Sequence, residues 1–326
     1  MPNNPTSEPG AKSAGKLAVV AIGGNALSPD KDHLSIPHQY EKVRETALHL
    51  AAMMQEGWNL VISHGNGPQV GMILRRSELS GHEVPPVPMD YAGADIQGAV
   101  GYMFCKALGN AFRRQGIKRQ PVALVAQTLV SADDPAFRAP SKPIGGWFSA
   151  EAARELARDY GWSVVEDAGR GWRRVVPSPE PVEIIEEGAI RLMVEAGLTV
   201  ITLGGGGVPV IRDAKGDLAG VEAVIDKDMS SALLAARLGA DLLILPTAVE
   251  RVALRFGKPD QVWLDRLSLA EAETHLASGE FPPGSMGPKI RALAMFVKNT
   301  GGQGLITTPE KLREAVQGKT GTRVVQ

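Results

Sequence analysis

Three glycine-rich segments give the first indication of chemistry in this sequence. Gly23-Gly24-Asn25, Gly65-Asn66-Gly67 and Gly204-Gly205-Gly206-Gly207 each follow closely on an apolar run of residues. Because glycine has no Cβ, the backbone N–H groups of such a turn can converge on an anion, and a helix that starts just beyond adds its positive end. Several such turns at strand ends indicate an enzyme that handles phosphate or carboxylate groups.

Three lysines lie in unusual contexts. Lys142 lies in a segment rich in proline and glycine, whereas Lys227 and Lys289 lie at the predicted starts of helices. Lysine is favoured at the opposite, C-terminal end of a helix, so the last two positions are unfavourable unless an anion lies nearby. Any one of these lysines alone is more simply a solvated surface residue. Together with the glycine turns, the three predict a functional anion site.

Two further segments are candidates for the same site. Asp228 follows Lys227, where it could orient the lysines by ion pairing, hold a metal through water, or simply cap the helix. Thr247-Ala248-Val249-Glu250 follows a predicted strand. Ligands of doubly wound sheets bind beyond the carboxyl ends of strands, so this segment is a candidate wall for a nucleotide base. An ordinary strand-end loop is the alternative.

Several common signatures are absent from the sequence. Gly318-Lys319-Thr320 resembles the end of a P-loop, but Arg313 stands where the first glycine is required. Gly65-Asn66-Gly67 lacks the third glycine of the dinucleotide fingerprint. The six histidines lack metal-ligand spacing, so no residue is assigned as a metal ligand, and His64 is interpreted as structural. The single cysteine, Cys105, excludes an internal disulfide.

The composition is that of an ordinary globular protein, with 44% hydrophobic and 22% charged residues among 326. The formal net charge of −1 argues against non-specific binding to nucleic acid or to an anionic membrane. No apolar run approaches the ~20 residues that span a bilayer, and residues 1–15 lack the apolar segment of a secretory signal. We therefore expect a cytoplasmic protein without nucleic-acid or membrane partners, with a disordered tail over residues 1–15.

Apolar strand-like runs alternate with helical patterns along the chain. Residues 17–22 and 58–62 predict strands on either side of a helix that Gly57 ends. Further on, Asp90 is predicted to cap a long helix, and residues 182–196 are predicted to be helical. This alternation predicts an α/β fold with an open, mostly parallel sheet sandwiched by helices.

Residues 131–179 interrupt the alternation. They are dense in Asp, Pro, Gly, Arg and Trp around a short helical pattern at 150–160. Long loops in compact enzymes are usually functional, so this stretch predicts an inserted lid subdomain, with a long structured loop as the alternative. The length of the chain allows one large α/β domain or two lobes.

A series of motifs resembles those of the carbamate kinases, within the amino acid kinase family. The matching segments are AIGGNA (21–26), SHGNGPQVG (63–71), SKPIG (141–145), EDAGRG (166–171), RRVVPSP (173–179), GGGGVPV (204–210), VIDKD (224–228), GKPDQ (257–261) and GSMGPK (284–289). They run in order from about residue 16 to the end, and together they are highly specific. The chain departs from the family pattern at Gly146-Trp147, where the family usually has proline and an aromatic residue.

The resemblance implies reversible phosphoryl transfer between ATP and carbamate, giving ADP and carbamoyl phosphate, with Mg²⁺ as cofactor. It also implies a homodimer and ATP synthesis in arginine catabolism. The organisation it implies is a single domain over 16–326. In that domain an N-terminal half (about 16–200) binds the phosphoryl acceptor and a C-terminal half (about 201–326) binds the nucleotide. The catalytic residues it implies are Lys142, Lys227, Asp228 and Lys289. The residues expected to bind carbamate and the transferring phosphoryl group are Gly23, Gly24, Asn25, Gly65, Asn66, Gly67, Gly205 and Gly206. Those expected to bind the nucleotide are Lys227, Thr247, Ala248, Val249, Ser285, Met286, Gly287 and Lys289.

Two alternatives stay open on the same scaffold. One is a kinase for another small acid. The other is a non-catalytic sensor of nucleotide or amino acid, against which Asp228 and the three lysines count, because a sensor need not retain a transfer apparatus. A dehydrogenase fits poorly because the dinucleotide fingerprint fails.

Overall fold

The computed structural model describes residues 15–24, 27, 34–167 and 169–326. The predicted disordered tail, apart from Gly15, lies outside the described residues, and so does Asn25. The strands are β1 (Lys16–Ile22), β2 (Trp58–His64), β3 (Pro121–Ala123), β4 (Gln127–Leu129), β5 (Lys142–Phe148), β6 (Ser163–Asp167), β7 (Gly171–Val176), β8 (Glu183–Ile184), β9 (Thr199–Ile201), β10 (Val208–Arg212), β11 (Leu218–Gly220), β12 (Leu242–Pro246), β13 (Val252–Leu254), β14 (Val262–Leu264), β15 (Arg266–Ser268), β16 (Gln303–Thr307) and β17 (Thr322–Val325). The helices are α1 (Ile36–Gln55), α2 (Gly67–Ser80), α3 (Met89–Gln115), α4 (Ala150–Tyr160), α5 (Glu187–Glu195), α6 (Lys227–Leu238), α7 (Leu269–Ala277), α8 (Met286–Thr300) and α9 (Leu312–Val316).

An eight-stranded sheet runs through the molecule in the order β15-β17-β16-β12-β1-β2-β9-β3. Its neighbouring strands are parallel except for the antiparallel pair β16 and β17. The predicted α/β class with a mostly parallel sheet is therefore confirmed. Strand β1 lies between β2, which follows it closely in sequence, and β12, which comes from the far half of the chain.

Helices cover both faces of the sheet, as the apolar character of β1 requires. Ala18, Val20 and Ile22 pack into a cluster with α1, α3 and α9, whereas Val19 and Ala21 pack into a second cluster with α5, α6, α7 and α8. All five side chains are fully buried. A strand buried on both faces has a continuous apolar run instead of an alternating one, which is the pattern of residues 17–22.

Two predicted helix boundaries are wrong. Helix α3 begins at Met89 with Pro88 as its N-cap, so Asp90 lies in the first turn and caps nothing. Residues 182–196 are not one helix, because Glu183–Ile184 first forms β8, which pairs with β4, and α5 then starts at Glu187. In the second case pairing with a distant strand overrides the local helical pattern.

Within the predicted insertion at 131–179, residues 142–176 form a sheet of their own; we call this unit the lid, and its closing over the site stays a prediction. Strands β5, β7 and β6 make a three-stranded antiparallel sheet, and α4 covers the predicted helical span at 150–160. Ile144 and Val176 pack with Met89, which attaches the lid to α3. The lid also approaches α2 closely, since a Cβ on Gly71 would lie 3.1 Å from the Cα of Gly145. In the part of the chain that the structure describes, no helix is both long and apolar enough to cross a membrane.

Candidate active site

The first two glycine turns lie against each other at the carboxyl ends of β1 and β2. The N–H of Gly65 donates to the carbonyl oxygen of Ile22 at 2.8 Å. A Cβ on Gly65 would lie 2.8 Å from the backbone nitrogen of Gly24, too close for any side chain. Glycine at 65 is therefore required by the contact between the turns, and its N–H is used to make that contact.

The third glycine turn packs on the second. Gly205 has a φ of +67°, and a Cβ there would lie 2.0 Å from Nδ2 of Asn66. Inside the turn, the N–H of Gly206 donates to the carbonyl oxygen of Leu203 at 3.0 Å. Because the N–H of Gly206 is already bonded to Leu203, it is not available to a substrate. The predicted role of Gly206 in substrate binding therefore depends on how closely a substrate can approach its backbone. All three turns converge at one edge of the sheet.

His64 lies at the junction of the second and third turns. Its ring stacks on Phe104, and a Cβ on Gly204 would lie 2.4 Å from Cε1 of the imidazole. Nδ1 lies 2.9 Å from the carbonyl oxygen of Gly65 and donates its proton there. Burial, assisted by the charge of Lys227, lowers the pKa of His64 to about 4. The imidazole is therefore neutral near pH 7, which agrees with the structural role predicted for it.

Asp228 joins two of the predicted catalytic lysines. Lys227 is the first residue of α6, and its Nζ donates both to Oδ1 of Asp228 and, at 3.0 Å, to the carbonyl oxygen of Ala21 beneath the first glycine turn. Lys289, in the second turn of α8, places Nζ 2.9 Å from Oδ2 of Asp228. The three side chains are only 8–14% exposed. The structure thus brings together residues that are 61 positions apart in the sequence.

The electrostatics of this cluster favour an anion. Burial raises the pKa of Asp228, but the charges and hydrogen bonds of Lys227 and Lys289 outweigh that effect and bring the pKa to about 2. Burial lowers the pKa of Lys227, and repulsion from Lys289 adds to it, while Asp228 opposes both. Asp226 also attracts Lys227, and Lys142 lies beside Asp226, so three ammonium groups face two carboxylates at this place. An anion such as a phosphate group would complete the charge balance.

Lys142 reaches the same helix start from the lid. It is the first residue of β5, and its Nζ lies 3.4 Å from Oδ2 of Asp226, the N-cap residue of α6. Its side chain is 45% exposed, in contrast to the other two lysines. The three lysines that the sequence singled out therefore surround one helix N-terminus.

Of the two predicted nucleotide-binding segments, one follows a strand beside the first glycine turn and the other begins the helix that carries Lys289. Thr247–Val249 continues from β12, and the carbonyl oxygen of Pro246 lies 3.6 Å from the position that a Cβ on Gly23 would take. The N–H of Thr247 donates to the carbonyl oxygen of Thr307 at 2.8 Å, which fixes the start of that segment. Ser285, Met286 and Gly287 form the N-cap and first turn of α8, the helix that carries Lys289. Their contacts with a nucleotide stay a prediction.

Polar residues beneath the turns were missed by sequence reasoning. Ser63 and Ser231 form a buried hydroxyl pair at 2.6 Å, and Ser231 also donates to the carbonyl oxygen of Lys227. Thr128 and Ser230 both donate to the carbonyl oxygen of Gly206. Nothing in the local sequence signals such long-range pairs.

Asp226 was also missed, although its sequence did carry a signal. An aspartate directly before a predicted helix start is a typical N-cap.

Among the described residues, no three His, Cys, Asp or Glu side chains are grouped so that they could hold a metal ion.

The comparisons with known proteins agree with this geometry. Residues 16–308 match the model of the amino acid kinase family. The chain is 46% identical over 308 residues to a carbamate kinase of Pyrococcus horikoshii, covering 94% of this chain and 98% of the relative. It is also 46% identical over 314 residues to a carbamate kinase-like protein of Escherichia coli, covering 95% and 99%.

A solved structure gives the same result. The carbamate kinase of Giardia lamblia bound to AMP-PNP superposes with a TM-score of 0.91 at 39% identity, covering 96% of this chain and 99% of that one. Fold, motif order and full-length similarity all agree. The chain belongs to the amino acid kinase family.

Proposed function

We propose that this protein is a carbamate kinase, which transfers a phosphoryl group reversibly between ATP and carbamate to give ADP and carbamoyl phosphate. The observation that carries the proposal is the buried Lys227–Asp228–Lys289 cluster at the edge where three glycine turns converge. Phosphoryl transfer depends on positioning and charge neutralisation more than on covalent chemistry by the protein. A fixed pair of ammonium groups beside glycine turns supplies both.

The proposed roles follow from where each group lies. Lys227 and Lys289 neutralise the β- and γ-phosphates, and Asp228 fixes the distance between them. The turns at 23–25 and 65–67 hold carbamate and the phosphoryl group in flight, with Gly205 and Gly206 behind them. Lys142 covers carbamoyl phosphate from the lid. Carbamate is an anion and already nucleophilic, so no general base is required, which suits a neutral, buried His64.

The donor set fits a Mg²⁺ ion that arrives with the nucleotide. Both oxygens of Asp228 are engaged by lysines, and Asp226 uses one oxygen as a helix cap. Mg²⁺ commonly keeps several waters and binds through phosphate oxygens plus one or two carboxylates, as this arrangement allows. The ion would neutralise charge on the nucleotide phosphates, and Asp228 would hold it through water.

A coupled assay tests the proposal directly. ATP formed from carbamoyl phosphate and ADP, with Mg²⁺ or with excess EDTA, would be measured in quenched samples by supplying excess Mg²⁺, hexokinase and glucose-6-phosphate dehydrogenase after the kinase is removed. We expect ATP formation that requires the metal. Absence of ATP formation at high enzyme concentration in the presence of Mg²⁺ would refute the assignment.

A kinase for another small acid is the second candidate, and one observation favours it. A relative named only carbamate kinase-like is as similar to this chain as one named carbamate kinase, at 46% identity each. ADP release in the presence of bicarbonate and ammonia, compared with release in the presence of a panel of small carboxylates, distinguishes the two. A carboxylate that gives a larger kcat/KM than carbamate would favour the second candidate.

We also propose that the protein is a cytoplasmic homodimer that makes ATP in arginine catabolism, and that residues 16–200 bind the acceptor while residues 201–326 bind the nucleotide. Support for these points comes from the family resemblance. Light scattering coupled to gel filtration tests the dimer, and growth of a gene-deletion strain with arginine as the energy source tests the direction.

A further inference from the structure

The segment that leads into α6 is attached to the lid. Residues 221–226, which we call the strap, connect β11 to α6. The N–H of Val224 in the strap donates at 3.0 Å to the carbonyl oxygen of Pro177, just beyond the last lid strand. Arg174 in β7 donates at 3.0 Å to the carboxylate of Glu222. The lid therefore contacts the segment that sets the start of the helix carrying Lys227.

Asp226, the last residue of the strap, bonds in two directions. Its Oδ1 accepts the backbone N–H groups of Asp228 at 2.9 Å and Met229 at 3.4 Å, which makes it the N-cap of α6. Its Oδ2 lies 3.4 Å from Nζ of Lys142 in the lid. One carboxylate therefore joins the helix that presents Lys227 and Asp228 to the lid lysine.

We propose that Asp226 is a positioning residue that couples the lid to the first turn of α6. Oδ1 fixes the turn that carries Lys227 and Asp228, and Oδ2 keeps Lys142 above that turn. Asp226 acts only through these groups and touches no reacting atom. The inference rests on the proposed function in one respect, since it takes Lys142 to act on carbamoyl phosphate.

The two contacts make different demands on residue 226. Capping needs only a side-chain oxygen of the right reach, and asparagine caps helices about as well as aspartate. Holding an ammonium group needs the negative charge, because a neutral amide gives up the ion pair. Asp226→Asn therefore removes the lid contact and keeps the cap, whereas Asp226→Ala removes both.

A double-mutant cycle with Lys142 tests the coupling. Asp226→Asn is expected to lower kcat/KM for carbamoyl phosphate about two- to fivefold, the range of a partly exposed ion pair. In a Lys142→Ala background the same change is expected to have a smaller effect, because only the attraction between Asp226 and Lys227 is then lost. Asp226→Ala is expected to lower kcat/KM about tenfold, and to lower it in the Lys142→Ala background as well, because the cap of α6 is lost.

Glu222→Gln is the matched control. It neutralises another carboxylate of the strap that pairs with the lid, through Arg174, but it contacts neither Lys142 nor the α6 cap. Its kcat/KM is expected to equal that of the wild type. The proposal is overturned if Asp226→Asn leaves kcat/KM unchanged or raises it, if its effect is the same in both backgrounds, or if Glu222→Gln reproduces it.

Hydrogen–deuterium exchange gives a readout that does not need turnover. In Asp226→Asn, amides of β5 are expected to exchange faster while those of the first turn of α6 stay protected. In Asp226→Ala both segments are expected to exchange faster. A wild-type protein that makes no ATP from carbamoyl phosphate would refute the proposed function alone. Unchanged exchange in β5 of Asp226→Asn would instead overturn the coupling.

Discussion

At the scale of single residues, the site depends on how one carboxylate is shared. Asp228 is 8% exposed and has Lys227 on one oxygen and Lys289 on the other. Removing one member of a buried ionic group lowers the free energy of unfolding by more than the whole group adds to it, because the remaining charges are left buried without a partner. Lys227 and Lys289 could be chosen from the sequence because a positive charge is unfavourable at the N-terminal end of a helix. Their distance from Asp228 could not, since it depends on how α6 and α8 pack.

Lys227→Ala is expected to lower turnover by about 100-fold or more, since its charge acts on the group in transfer. Nucleotide affinity is expected to change far less, because Lys289 remains. Steady-state kinetics and calorimetric titration of ADP measure the two quantities. Lys298→Ala, an exposed lysine on α8 paired with Glu273, is the control. Near-normal turnover of Lys227→Ala would contradict the assigned role.

Asp228→Asn is expected to change the pH dependence of stability. The folded-state pKa of about 2 lies below the ordinary aspartate value of 3.8, so the ionised carboxylate stabilises the fold above pH 4, and this stabilisation is lost as the pH falls from 4 to 2. The difference in pKa corresponds to roughly 2 kcal/mol. Urea unfolding at pH 6 and pH 3 should show a smaller loss of unfolding free energy for Asp228→Asn than for the wild type.

The control for that measurement is Asp260→Asn, which removes an exposed carboxylate paired with Arg255 at the surface. It should keep the pH dependence of the wild type. An equal loss of unfolding free energy in Asp228→Asn and wild type between the two pH values would show that Asp228 is not held as described.

At the scale of elements, the sequence predicted where the glycine turns lie but not which groups their N–H donors bind. Glycine clusters after apolar runs indicated three turns at strand ends, and the structure places them together. The bonded N–H groups of Gly65 and Gly206 were beyond prediction, because their acceptors, Ile22 and Leu203, are chosen by packing between turns. Local patterns also failed at Asp90, where Pro88 takes the cap position one residue before the helix.

Gly205→Ala tests whether the contact between turns matters for activity. A φ of +67° costs alanine roughly 1–2 kcal/mol, and its Cβ would displace Asn66. Gly216→Ala is matched to it, with a φ of +86° and open space around the added Cβ at the tip of the β10–β11 hairpin. Both variants should lose unfolding free energy, but only Gly205→Ala should also lose kcat/KM, by about tenfold or more. Equal activity of the two variants would contradict the role of the Gly205–Asn66 contact.

At the scale of the whole molecule, residues from both halves of the chain meet at the candidate site. Lys227 bonds to Ala21, and β12 lies beside β1 in the sheet. The alternation of patterns predicted the sheet class, but strand order depends on which parallel neighbours bury each other best, which one sequence does not reveal. The division near residue 200 is therefore a division of proposed roles within one continuous sheet.

A fragment of residues 1–200 is expected not to fold alone. It lacks β12, the neighbour of β1, and it lacks helix α6, which packs on the strand whose Val19 and Ala21 face that side of the sheet. Circular dichroism and urea unfolding of this fragment, of residues 201–326, and of the two expressed together test the expectation. Cooperative unfolding of the first fragment alone would contradict it, while recovery of structure on co-expression would support it.

The position of β1 has a consequence for biosynthesis. Ala18 pairs in register with Leu242, so one of the first strands to leave the ribosome waits for a partner made 224 residues later. At typical translation rates that delay is roughly 10 to 45 s. During it, β1 has an unpaired edge and an uncovered apolar face, both of which promote aggregation. The nascent chain is thus expected to need chaperone protection until about residue 246 has emerged, when α6 can cover the strand's face and β12 can pair with its edge.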